Sequence, residues 1–258
     1  MGTREESKNH RRDKIIAAAR QLLEQSGEPG FSMRALAQQA GVSIATPYNL
    51  FGSKQAVMLS VWESDFGQYQ QKIEQLRVDE LELFFDAVST TAERLNSEPV
   101  FYRTFFNQIR NDEHEAESTP AFLGTRYAHW KKLVKNAIRA GLLVPDTEAD
   151  AFAMNLRHQF LDSIYKWVDE GLDLLEMEAT IHYGFALSLA AMATEQSRQR
   201  LQKKIRQAQW QLQSVWQTRL QVMINAGELD VVLQQVAADQ IKIIRESPQQ
   251  QWQSTLEA

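Results

Sequence analysis

An all-α chain follows from three features of the sequence. Only 11 Gly and 6 Pro interrupt 258 residues, so long stretches run without a breaker. Between those breaks the apolar residues recur every three or four positions, and no stretch sustains the alternation of a half-buried strand. The composition, 43% hydrophobic and 24% charged, is that of a folded globular chain. The expected architecture is a small N-terminal three-helix bundle containing a helix-turn-helix, followed by a larger helical bundle.

The first helix is expected over about Asp13 to Gln25, where Ile15, Ile16, Ala19, Leu22 and Leu23 form one stripe and Gly27 is the stop. A short second helix starts after Ser32, whose hydroxyl suits an N-cap, and turns Met33, Leu36, Ala37 and Ala40 inward until Gly41. Val42 plugs the junction and Ser43 caps a third helix, Ile44 to Phe51. A fourth begins at the cap residue Ser53 and runs toward Tyr69. Further helical patterns occupy about 79–96, 99–111, 120–140, 147–170 and 175–195, divided at Pro99, Pro120, Gly141/Pro145 and Gly171. From Arg198 a longer helix carries Leu201, Ile205, Ala208, Leu212, Val215/Trp216, Leu220 and Met223 as one apolar seam, suited either to the body or to a dimer mate. Another helix is expected after Ala226-Gly227 to about Arg245, and a Gln-rich tail from Ser247-Pro248.

Charge is unevenly spread. The net charge is −5, yet residues 1–60 carry +3 and the remainder −8. No carboxylate lies between Glu28 and Glu63, as a surface that approaches phosphates requires. Chance depletion would look the same, and the motif inside the window decides between them.

That window reads FSMRALAQQAGVSIATPYNLFGSKQAVMLSV, Phe31 to Val61. Ala37 is small where two helices touch, Gly41 supplies a left-handed turn residue, and the next helix is placed to enter a major groove. Ala40-Gly41-Val42-Ser43, Thr46, Tyr48, Phe51 and Ser53-Lys54 together resemble the tetracycline-repressor-like (TetR) family across Ile15 to Val61. The resemblance implies that Tyr48 and Lys54 contact phosphates and that Ile44, Ala45, Thr46 and Asn49 face base edges or backbone, with Phe51 in the core. Arg34 and Ser43 complete the expected DNA-binding set. Read by themselves, Tyr48 also fits a half-buried core aromatic and Lys54 a solvated charge. Pro47 removes a backbone donor early in the recognition helix, which is harmless only within its first turn. With no Arg or Lys at the base-facing positions, readout is expected through thymine methyls and hydroxyl or amide bonds. Lys8, Arg11, Arg12, Lys14 and Arg34 would supply the charge attraction, unless they simply form a solvated helix start.

The resemblance also implies a ligand-binding and dimerisation bundle in the body, loosely to about Gln196. The division expected is 1–62 for DNA binding, 63–196 for ligand and dimer, 197–246 for a C-terminal extension and 247–258 for a flexible tail. Phe105, Phe106, Trp130, His158 and Tyr165 are the candidate pocket residues for an apolar or aromatic small-molecule effector, although aromatics at helical spacing also fill ordinary cores. The helices at 147–170 and 175–195 match those that form a four-helix homodimer face, the second kept slim by Ala186, Ala190, Ala191 and Ala193. One short recognition helix reads few base pairs, so a double-stranded, palindromic operator and a homodimer are expected together. Repression relieved by the effector is the family default.

Other classes find little support. With no Cys, thiolate chemistry is excluded. The five His are scattered, and no phosphate loop or nucleophile motif occurs, so no catalytic residues, metal or cofactor are expected. His158 and Asp162 lie one turn apart, a spacing usually structural or part of a ligand site. Asp112, Glu113, His114, Glu115 and Glu117 could bind a cation weakly and read more simply as a solvated loop. No signal peptide or run near the ~20 residues of a membrane span is present, and a cytoplasmic location is expected. The rivals are a helical adaptor that keeps the motif but works through protein partners and a regulator without a small-molecule effector, and between repressor and activator the sequence is silent.

Overall fold

In a computed structural model, the described residues are 2–26, 31–75, 79–111, 120–169, 171–227 and 238. Among them run ten helices: α1 (Gly2–Ser26), α2 (Met33–Ala40), α3 (Ala45–Phe51), α4 (Lys54–Gln75), α5 (Glu82–Ser97), α6 (Pro99–Asn111), α7 (Pro120–Arg139), α8 (Ala149–Asp169), α9 (Leu174–Ala191) and α10 (Glu195–Ala226). The all-α expectation holds. The stop at Gly27, the acidic stretch 112–117, the helix to Arg245 beyond its Ala238, and the tail lie outside the described residues.

α1 starts well before its apolar stripe. Its first turns, from Gly2 through Arg12, are rich in Glu, Lys and Arg, good helix formers with Glu5 favourably placed in the first turn. Apolar periodicity is blind to such polar turns. The stripe itself behaves as expected: Ile15, Ala19, Leu22 and Leu23 are buried with Phe31, Met33, Leu36, Val57 and Val61 in one core. α1 packs on α2, α4 and α6, so the N-terminal bundle is joined to the body through both α4 and α6.

α9 ends at Ala191, short of the expected 195. The chain is diverted there by an isolated antiparallel bridge between Leu143 and Ala193. The Val144 N–H donates to the Met192 carbonyl at 2.9 Å and the Thr194 N–H to the Leu142 carbonyl at 3.2 Å. Ser197 Oγ, fully buried, donates to the same Leu142 oxygen. This clasp fixes the start of α10.

α10 then lies antiparallel on α9. Leu201, Ala208 and Leu212 of the seam are buried, so over this stretch the seam docks on the body. Farther along, Trp216 Nε1 and Arg219 Nη1 donate to the two carboxylate oxygens of Glu176 at 2.9 and 3.2 Å, near the start of α9. The basic start of α10 also turns inward to the acidic start of α5. Arg200 bonds Asp79 at 2.6 Å and Glu82 at 3.2 Å, and Lys204 pairs with Glu82 at 2.6 Å while lying over the Phe85 ring.

Candidate functional site

Two sites emerge: an exposed helix-turn-helix and a cavity behind it. In the first, Ser32 Oγ accepts the Ala35 N–H at 3.2 Å and caps α2. Gly41 takes the left-handed conformation, φ 63° and ψ 40°, where a side chain would be strained. The Gly41 N–H donates to the Gln38 carbonyl and the Val42 N–H to the Ala37 carbonyl, closing α2. The expected hydroxyl cap on α3 is not what forms. Ile44 occupies the cap position, Ser43 Oγ bonds Thr46 Oγ1 at 2.9 Å, and the Ser43 carbonyl receives the Thr46 N–H. Pro47 follows as the third residue of α3, where no intrahelical donor is lost. It is buried, and so serves as a wedge under the recognition helix rather than a break in it.

The outer surface of this unit carries the expected DNA-facing residues. Arg34, Ser43, Ile44, Ala45, Tyr48 and Asn49 are exposed and Thr46 half-buried. Ile44 at 54% and Tyr48 at 50% are unusually open for large apolar side chains. Phe51 packs partly against the core, beneath the Arg12 guanidinium at 4.3 Å from its ring centre. Arg12 also donates to the Leu50 carbonyl at 2.6 Å and so holds the C-terminal end of α3. Lys54, at the head of α4, points its ammonium to Gln108 of α6. Its ammonium thus ties the start of α4 to the body in this state. Lys8, Arg11 and Lys14 of α1 are exposed, Lys14 close to Gly41.

Behind this unit, α4, α5, α6, α7 and α8 enclose a cavity of about 60 Å³. Its apolar wall includes Trp62, Phe106, Trp130, Phe160 and Ile164. Phe106 and Trp130 were among the five candidate pocket residues. Phe105 lies behind, stacked on Trp62 at 5.5 Å, and Tyr165 touches Phe106 edge-on at 6.3 Å. His158 is exposed on the outer side of α8, and its neighbour Asp162 pairs with Lys166 at 2.9 Å. The periodicity of α8 explains this: Arg157, Phe160, Leu161 and Ile164 share the inner face, and His158 is rotated away from it.

Residues 15–61 match the family model described as bacterial regulatory proteins, tetR family. Over this head the chain is similar to the TetR family. Solved TetR-family structures share the fold over most of its length. The Thermus thermophilus FadR repressor, solved in complex with lauroyl-CoA, is 20% identical, with a TM-score of 0.60 over 71% of this chain and 96% of that one. A regulator from a Rhodococcus species is 17% identical, TM-score 0.56, over 73% and 99%. One from Marinobacter aquaeolei is 17% identical, TM-score 0.51, over 76% and 98%. Among curated proteins none matches.

The cavity wall also contains a buried charge cluster that no sequence pattern announced. Asp65 of α4, 6% exposed, accepts from Arg20 of α1 at 2.9 Å, from Arg94 of α5 at 2.6 Å and from the Tyr102 hydroxyl of α6 at 3.0 Å. Arg20 also bonds Glu98 and lies 4.2 Å over the Phe101 ring. Burial, with the Asp65 charge adding to it, pushes the Tyr102 phenol up to about 12. The cluster joins the first helix of the head to the cavity through side chains alone. The bonds made by Asp65, and that between Arg20 and Glu98, span 29 to 78 residues, and the local hint was polar residues on otherwise apolar faces. Among the described residues no group of His and acidic side chains suits a metal ion, and no helix is long and apolar enough to cross a membrane.

Proposed function

We propose that the chain is a cytoplasmic, homodimeric, sequence-specific transcriptional repressor that leaves a palindromic operator when a small-molecule effector enters the cavity. The observation that carries DNA binding is the open face of α3. Ile44 and Tyr48 are about half exposed, within a run of sequence between Glu28 and Glu63 that has no carboxylate, where a folding core would have hidden them. Tyr48 would donate to a phosphate oxygen, while Ile44, Ala45, Thr46 and Asn49 read the groove by methyl and hydrogen-bond contacts. Arg34 and Ser43 flank that surface, and Lys54 would reach a phosphate by releasing Gln108. No catalytic constellation supports an enzyme.

The dimer reading rests on the outer faces of α8 and α9. Met154 at 38% and Leu187 at 44% exposure stand there, beside a close helix approach in which a side chain at Gly184 would meet Gln159 at 2.5 Å. The effector reading rests on the cavity, and the neighbour solved with lauroyl-CoA supports small-molecule control in this fold. Asp65 gives that control a route. A molecule pressing on the cavity wall shifts α4 relative to α1 and α5, and with it the spacing of the two recognition helices.

Selection of bound sequences from random double-stranded DNA tests the core of the proposal. Wild type should enrich a two-fold-related site, and Tyr48→Ala should bind that site at least ~10-fold more weakly with an unchanged melting temperature. Enrichment of no sequence would favour the adaptor reading instead.

A further inference from the structure

The cavity holds one cationic group that the protein leaves without an anion. Arg157 projects from α8 into the wall, and its Nε is buried with no hydrogen-bond partner. Among the described residues the guanidinium's one polar contact is the Met154 thioether, 3.9 Å from Nη1 on the exposed side, a weak acceptor. Nearby carboxylates are already engaged. On α8 itself, Asp150 is held by Lys131 and Tyr127, and Asp162 by Lys166. Across the cavity, Asp65, Glu98 and Glu24 are taken up by Arg20 and Arg94. Among the cavity-lining residues Asp65 is paired with Arg94, which leaves Arg157 as the charge without a carboxylate, beside Trp130, Phe160 and Ile164. Arg157 is half-buried, with its Nε shut off from water and no carboxylate on it, and planar carboxylates are the groups a guanidinium pairs with best.

We infer that the effector is a compact organic monoacid whose carboxylate pairs with Arg157 while its apolar body lies among Trp130, Phe160 and Ile164. The inference rests on the reading of this cavity as the effector site. Size sets the second limit. At about 60 Å³ the cavity is smaller than the ~150 Å³ that accepts a benzene ring. A body of one ring or a short chain fits after modest movement of the half-buried Phe160 and Leu161, whereas a long acyl chain would require the helices to part. A neutral apolar molecule would leave the guanidinium unanswered, and a polyanion would find only one charge to meet.

Calorimetric titration of the full chain with phenylacetate and 4-phenylbutyrate, each beside its primary amide, tests this. Each acid should bind about tenfold or more tightly than its amide, as expected of a charged hydrogen-bonded pair. Arg157→Met should erase that difference while leaving the amides and the melting temperature unchanged, and Arg157→Lys should restore part of it. Equal affinity for acid and amide, indifference to Arg157→Met, or no binding of either acid at millimolar concentration would overturn the inference. Leu161→Trp, which fills the cavity, separates the two levels. If it abolishes binding of acids and amides while Arg157→Met alters neither, the cavity reading stands and the acid reading falls. If the acids still bind to Leu161→Trp, the cavity is not their site and both fall.

Discussion

Arg12 does for the recognition helix what a cap residue does elsewhere, from a different helix. Its guanidinium satisfies the Leu50 carbonyl near the negative end of the α3 dipole and covers the Phe51 ring. Arg12→Ala should therefore lower stability by about 1–2 kcal/mol, read from the urea midpoint, without changing the salt dependence of operator binding. Lys8→Ala should do the reverse, reducing the slope of log affinity against log salt by about one and leaving the midpoint alone. The sequence made Arg12 and Lys8 look alike, because nothing local reports a partner 38 residues away. Tyr48, Ile44 and Asn49 were legible because the turn chemistry around Gly41 fixes which side of α3 faces out. Tyr102 offers a pH test at the same scale. Its folded pKa of about 12 lies above the unfolded value of ~10, so the folded state holds the proton longer. Stability is then full below pH ~10 and declines as pH rises toward 12. Tyr102→Phe should flatten that decline in alkaline urea titrations.

At the scale of elements, helices with an apolar stripe were readable to within a few residues, and the exceptions have separate causes. Polar turns hid the start of α1, and a backbone bridge made by residues 50 positions apart in sequence ended α9. The docking of α10 was half legible: the seam was plain, its partner was not. Once docked, the helix closes over His182 of α9, whose Nε2 lies 3.1 Å from the Phe85 carbonyl. Burial, opposed by that hydrogen bond and by Glu178 and Asp86, holds His182 below its ordinary pKa. The folded state thus favours neutral His182. Stability from this group is present above pH ~6.5 and is lost as pH falls through the lowered folded value. Thermal melts between pH 7.5 and 5 should show the loss, and His182→Gln should reduce it. A chain ending at Ala193 should melt lower than the full chain, because Glu176 would lose both Trp216 and Arg219 while remaining largely buried.

For the whole molecule, two-fold assembly and effector response are coupled questions. Leu187→Glu would place two like charges across a two-fold axis if the outer face of α8 and α9 is the dimer surface. The variant should sediment as a monomer, melt near the wild-type temperature and lose operator affinity; a wild-type sedimentation profile would remove the proposed dimer face. Response, by contrast, runs through Asp65, where four helices meet on one carboxylate. Charged clusters of this kind seldom add stability over apolar residues of equal volume, and removing one member alone is strongly destabilising. Asp65→Asn should accordingly cost about 3 kcal/mol. A redesign that replaces Arg20, Asp65 and Arg94 together with well-packed aliphatic residues should be at least as rugged to heat as the natural chain. It should also grip its operator whether or not an inducer is present. Such a protein would be a sturdy but deaf sensor, and the pair of measurements, melting temperature against induction ratio, would show whether the cluster is retained for hearing rather than for strength.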